Sequence, residues 1–275
     1  LERWGDYHFG KSLEAALVRQ GAEVVQHFWP DWDLHEGEDA AIWLRGKRSC
    51  TPRPEIANAI WILSHPGSVT RAELSGFDVV YAASGRLATE LQEMDVQGVE
   101  LMRQCTDAGL FNSHQARGDD DRRGLLFVAS SRGVRRPILE WALASGLAPT
   151  LVGHGWNQVG HGRLARADYI ANSLLPQMYG AARYGMNDHW GDMAYYEMIN
   201  NRIFDSLACG LPVISDGFPE LAEVAGDGVW IVDGPRSFRD AYWAMKLDYA
   251  GARQACTALW KRIGPMYTFD ARARQ

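Results

Sequence analysis

Short β-rich apolar runs alternate along the chain with amphipathic stretches of helical spacing, the pattern of parallel sheets joined by crossover helices. In the first half the runs are EVVQHFW (Glu23 to Trp29), AAIWLR (Ala40 to Arg45), AIWILS (Ala59 to Ser64), DVVYAAS (Asp78 to Ser84) and GVELM (Gly98 to Met102). A helix, KSLEAALVRQG, precedes them and ends on Gly21, a residue that tolerates a left-handed C-cap. The stretch SHQARGDDDRRG (Ser113 to Gly124) is polar and densely charged and reads as a linker over residues 113–123. The pattern then restarts with GLLFVAS (Gly124 to Ser130), a helix RRPILEWALASG, APTLVGHG (Ala148 to Gly155), ARYGMND (Ala182 to Asp188), LPVISD (Leu211 to Asp216) and GVWIVD (Gly228 to Asp233). Two successive α/β units, residues 1–112 and 124–260, predict two doubly wound domains facing each other across a cleft. Ligands in such sheets bind beyond the C-terminal strand ends.

Composition narrows the function classes. The 275 residues are 47% hydrophobic and 23% charged, ordinary for a globular protein and enough for two cores. No apolar run approaches a membrane span, and no secretory succession opens the chain. Cys50, Cys105, Cys209 and Cys256 lie far apart and form no metal knuckle, which with the missing leader gives a cytoplasmic expectation. A net charge of −6 leaves no overall basic footprint for nucleic acid.

Candidate chemistry concentrates in EMINNRIFDSLACGLPVISDGFPEL (Glu197 to Leu221). Asn200 or Asn201 is a plausible N-cap, and the spacing of Ile203, Phe204, Leu207 and Ala208 turns one helix face toward a sheet. Glu197 then sits in the loop before the helix and Asp205 in its second turn. The free N–H groups of a helix start favour a phosphate, and acids nearby accept bonds from sugar hydroxyls, which suits a nucleotide-sugar. A capped surface helix with incidental acids is the plainer alternative.

The same segment resembles the Glu-x7-Glu region of group 1 (family 4-like) glycosyltransferases, with Asp205 in place of the second Glu. FVASSRGVRRPILEWAL, NDHWGDM, NRIFDSLACGLPVISD and YTFDARAR resemble CgeB-like glycosyltransferases more closely, as do WGDYHFGKSLEAAL, ILSHPGSVT and QCTDAGLFN from the first half. The resemblance implies a GT-B fold of two Rossmann-like domains, with a nucleotide-sugar held mainly by the C-terminal domain and no metal or other cofactor. It implies that Glu197 faces the donor sugar and Asp205 the ribose, near Asn201 and Arg202. The chain begins at LERWGDYHF, where the family has already completed a strand, so the first domain is expected to lack that strand or to receive it from residues outside this sequence. Residues 261–275 are expected to cross back to the first domain.

Other residues are weighed beside these. Arg132, Arg135 or Arg136 in SSRGVRR can neutralise a diphosphate leaving group, or form a solvated basic turn. His154 and Gly155 lie at a predicted strand end, allowing close approach of a nucleobase or phosphate. Asn187 begins NDHWGDM, whose Asp188, His189 and Asp192 share no helix-face spacing and fit a cleft-lining loop better than a metal site. Asp6, His8 and His65 sit where a GT-B acceptor approaches, as a base or as groups that orient its hydroxyl. The expectation is a metal-independent transferase moving a sugar from a nucleoside diphosphate to an acceptor hydroxyl. A noncatalytic nucleotide-sugar-binding module and a GT-B sugar-nucleotide epimerase are the alternatives.

Overall fold

A computed structural model describes residues 5–33 and 37–275; the first four residues of LERWGDYHF lie outside them. Helix α1 (Gly5–Arg19) opens the described chain. Strands β1 (Ala40–Arg45), β2 (Ala57–Ile62), β3 (Val79–Ala82) and β4 (Val99–Leu101) form a parallel sheet in that order, with α2 (Arg71–Leu74) and α3 (Gly85–Glu93) between them. Then come β5 (Arg123–Val128), α4 (Pro137–Ala144), β6 (Thr150–Val152), β7 (Ala165–Ala167), α5 (Leu175–Ala181) and β8 (Ala182–Asn187). The chain ends with α6 (Gly191–Tyr195), α7 (Asn201–Ala208), β9 (Val213–Ser215), α8 (Pro219–Ala225), β10 (Val229–Ile231), α9 (Pro235–Leu247), α10 (Tyr249–Ile263) and α11 (Phe269–Arg274). The second sheet is also parallel, in the order β10-β9-β8-β5-β6-β7. Its winding reverses between β5 and β8.

Two compact units result. One holds the described residues up to Gln104 with Trp190–Ile199 and Phe269–Gln275; the other holds Cys105–His189 and Asn200–Thr268. In the first, Ile60, Ile62, Val80 and Leu87 pack with Met193 and Met198 from the α6 segment. Burying each methionine contributes roughly 1.5–3 kcal/mol. Ser84 reinforces this placement: its Oγ caps α3 by accepting from Leu87 N–H at 3.1 Å and donates to Tyr196 O at 2.5 Å. Helix α11 lies on α1, with the Phe9 and Phe269 ring centroids 4.6 Å apart. The second unit centres on Phe127, Ile138, Leu139, Leu151, Trp156, Ile214 and Phe238.

Three expected elements differ. EVVQHFW carries no strand, because its extended run meets no partner strand among the described residues. GDYHFG, where a loop is expected at the start of the first domain, forms the first turns of α1. Residues 113–123 hold two short 3-10 turns packed into the second unit. Arg122 fixes them, its buried guanidinium donating to the carbonyls of Arg117, Ala182 and Gly210. Among the described residues no helix is long and apolar enough to cross a membrane.

Candidate donor site and the groups of the first unit

The C-terminal ends of β5 and β8, where the second sheet reverses its winding, are the place an open α/β sheet offers a ligand. After β5 the chain turns through Arg132 (φ 52) and Gly133 (φ 78) and returns as α4. Arg136, at the N-cap of α4, aims its guanidinium under this turn. It is 3% exposed, donates from Nε to Asp188 Oδ2 at 2.8 Å and from Nη2 to Asp188 Oδ1, and gives Nη1 to Ser130 O. Desolvation raises the Asp188 carboxyl above its ordinary range, and Arg136 opposes that rise.

Arg202 reaches the same place from the first turn of α7. Its Nη1 donates to Val128 O at 3.2 Å and its Nη2 to Asp188 O at 2.9 Å. Burial first, then the neighbouring Arg136 charge, lowers its pKa. Asn200 is the N-cap residue of α7, and its Nδ2 also donates to Asp188 O, at 3.1 Å. The side-chain oxygens of Asn200 and of Asn187, the last residue of β8, are buried without a hydrogen-bond partner among the described residues. Such acceptors are costly unless water or a ligand meets them.

His189 completes this wall. Asn200 N–H donates to its Nε2 at 3.3 Å, so the ring proton sits on Nδ1 and donates to Asp216 Oδ1 at 2.7 Å. Asp216, which follows β9, also accepts from His189 N–H at 2.8 Å. His189 and Asp216 thus lock the ends of β8 and β9 together. Periodicity does not connect this pair, because the two residues follow different strands; the signal in the sequence is that each closes a strand run, in MND-H and VIS-D.

On the other side of β5, His154 is exposed and its Nδ1 lies 2.8 Å from Ser130 Oγ. Gly155 follows at φ 84, against Ser131 Oγ. Gly153 has φ 133, and a Cβ there would meet Ala129 O at 2.3 Å. Gly153→Ala should therefore lower stability by about 1–3 kcal/mol, read as a fall in the denaturation midpoint at unchanged slope. A loss below 0.5 kcal/mol, on the order of a neutral surface change, would contradict this close strand approach.

Asp205 is 4% exposed. Its Oδ1 accepts from Thr106 Oγ1 at 2.5 Å and its Oδ2 from Asn201 Nδ2 at 3.1 Å. Desolvation pushes its pKa up to about 7, against the lowering effects of Thr106 and Arg202. The structure therefore gathers Arg132, Arg136, His154, Gly155, Asn187, Asn201, Arg202 and Asp205 on one unit.

Glu197 lies in the loop before α7, as expected, and by its contacts belongs to the first unit. The reason is local: Met193 and Met198 flank it and are buried in the first core. It adopts a left-handed φ of 58, and its Oε1 lies 3.9 Å from Arg86 Nη1. Also in the first unit, a Cβ on Gly46 would meet Asp6 Oδ2 at 2.8 Å and Ser64 Oγ at 3.9 Å, and Ser64 Oγ is 3.0 Å from His65 Nδ1. Asp6, Ser64 and His65 thus converge just beyond the C-terminal ends of β1 and β2. His8, on the same turn of α1 as Asp6, meets Tyr7 edge-on with ring centroids 5.3 Å apart.

A family model described as glycosyl transferase-like matches residues 132–275. Three solved structures are similar in fold. Sucrose-phosphate synthase from Thermosynechococcus elongatus is 16% identical over 80% of this chain and 66% of its own, with a TM-score of 0.59. Anabaena HepE in complex with UDP and glucose is 14% identical over 80% and 70%, with a TM-score of 0.57. AviGT4, a glycosyltransferase involved in avilamycin A biosynthesis, is 14% identical over 99% and 88%, with a TM-score of 0.62. The match thus spans just under two thirds of the sucrose-phosphate synthase chain. No curated protein sequence matches the chain significantly.

Proposed function

The chain belongs to the glycosyl transferase-like family and has the GT-B fold, and from that premise we propose that it moves a sugar from a nucleoside diphosphate to an acceptor hydroxyl. The observation that carries this reading is the meeting of Arg202 and Arg136 at the winding reversal of the second sheet, beneath the exposed Arg132 turn. Guanidinium groups bind phosphate oxygens bidentately and offset the charge that builds on a leaving diphosphate. Arg132, exposed in the turn after β5, and Arg202, not fully buried at the start of α7, are proposed to meet the phosphates, beside the N–H groups at the start of α7. The unpartnered oxygens of Asn187 and Asn200 accept from donor hydroxyls, and Asp205 from the ribose. His154 and Gly155 border the base. Uridine diphosphate, present in HepE, is the first nucleotide to test.

Transfer also needs a group facing the donor sugar and one that receives the acceptor proton. Glu197 is proposed for the first role. Asp6, His8 and His65 are proposed for the second, as a base or as groups that orient the acceptor hydroxyl. With arginines meeting the leaving group, no metal is required.

Calorimetric titration with UDP and other nucleoside diphosphates tests the donor site. Arg132→Ala and Arg202→Ala should each weaken binding about 10- to 100-fold, the worth of a charge-assisted hydrogen bond. If no nucleoside diphosphate binds the folded protein, the reading fails. Product analysis with UDP-sugars then separates transfer from simple binding and from epimerisation. That activity should persist in EDTA; loss in EDTA with recovery on adding magnesium or manganese would overturn the arginine account.

A further inference from the structure

A cavity of about 240 Å³ opens in the first unit, lined by Trp29, Trp32, Trp43, Arg48, Ser49 and Thr51. Its lining does not include Asp6, Ser64 or His65. Trp43 directs its Nε1 to Asn58 Oδ1, 3.3 Å away at the start of β2. Arg53, just before that strand, secures the floor by donating to Trp32 O at 3.0 Å and pairing with Glu38 at 3.0 Å. Trp32 and Trp43 meet edge to face, with centroids 6.1 Å apart.

Two features of the cavity name its ligand. Trp29 is 53% exposed even with Arg48 stacked over its ring at 3.9 Å. An indole left half in water beside a second and a third suits a ring with apolar C–H faces and a polar rim, and Ser49 and Thr51 supply hydroxyl partners for that rim. Arg48 has no carboxylate within ion-pairing distance among the described residues. A guanidinium held flat on an aromatic face keeps its edge donors for a planar anion. Drug-sized ligands fill about 300–1,000 Å³, so this cavity admits one ring rather than a chain.

We propose that this tryptophan cavity is an auxiliary saccharide site that takes a single pyranose unit bearing a carboxylate, a hexuronate, with its ring on the indoles and its carboxylate on Arg48. Such a site would hold an acidic glycan on the first unit through residues other than Asp6 and His65, and its binding is measured without any transfer reaction.

The test is a nuclear magnetic resonance titration of the full chain labelled at its tryptophan indoles, with methyl glucuronide, methyl glucoside and acetate as probes. The glucuronide should shift the indole N–H signals of Trp29, Trp32 and Trp43 saturably. The glucoside and acetate should each bind at least tenfold more weakly. Arg48→Gln and Trp29→Ala, both at exposed side chains, should abolish the response while the thermal midpoint stays unchanged. Absence of a saturable shift with glucuronide, equal binding by glucoside or acetate, or full binding by Arg48→Gln would each overturn the proposal. Failure of UDP to bind the same protein would overturn the donor reading instead and leave this result standing.

Discussion

Arg136→Ala is expected to remove about 3–5 kcal/mol of folding stability, the cost of breaking one side of a buried ion pair. Both partners are almost wholly inaccessible, at 3% for Arg136 and 2% for Asp188. The loss exceeds the two hydrogen bonds because Asp188 would stay buried with its carboxyl already raised by desolvation. Replacing both residues, as Arg136→Met with Asp188→Leu, should recover most of that stability, since no charge is then stranded. Urea denaturation of the two variants decides the matter. A loss near 1 kcal/mol or less for Arg136→Ala would mean that water reaches the pair and that its role is not to fix the end of β8.

Asp205→Asn should instead make the protein more stable at pH 8. The folded-state pKa of Asp205, about 7, lies above its ordinary 3.8. The folded protein therefore holds this proton where the unfolded chain has released it. Stability from this group is complete below pH 3.8 and is lost as pH rises toward and through 7. A difference of that size corresponds to about 4 kcal/mol, and an amide carries no such dependence. Denaturation at pH 5 and pH 8 should show the wild-type protein losing stability over the interval while Asp205→Asn loses markedly less. On the proposed contact of Asp205 with the ribose, the same variant should also bind nucleoside diphosphate more weakly. Unchanged affinity would end the ribose assignment, and equal pH slopes would end the burial argument.

Among the described residues, nine of the ten strands and the α7 segment can be read from hydrophobic spacing, because buried parallel strands write themselves as continuous apolar runs. β7 escaped notice: Ala165–Ala167 is three residues long with Arg166 in its middle. The early start of α1 was hidden by Gly10, which reads as a break. In the structure Gly10 is buried in the helix, and a Cβ there would meet Gln26 Nε2 at 2.5 Å, so glycine serves close packing. EVVQHFW shows the converse error, since alternation signals an extended chain but only a neighbouring strand makes it a ladder. In the site, Arg202 and Asp205 were found from their place at a helix start. The Arg136–Asp188 and His189–Asp216 pairs join residues far apart in sequence, which periodicity cannot connect. The membership of Glu197 in the first unit was not legible either, because it follows from the burial of Met193 and Met198 rather than from spacing along the chain.

The assignment of Trp190–Ile199 to the first unit bears on how such proteins can be recombined. The stretch matched by the family, residues 132–275, carries two inserts that belong to the other unit, Trp190–Ile199 and Phe269–Gln275. Joining it to the front half of a distant relative would import Met193, Met198 and Phe269 into foreign surroundings. The two units are thus expected to be inherited as a matched set, with change arising within a unit more readily than by wholesale exchange of one.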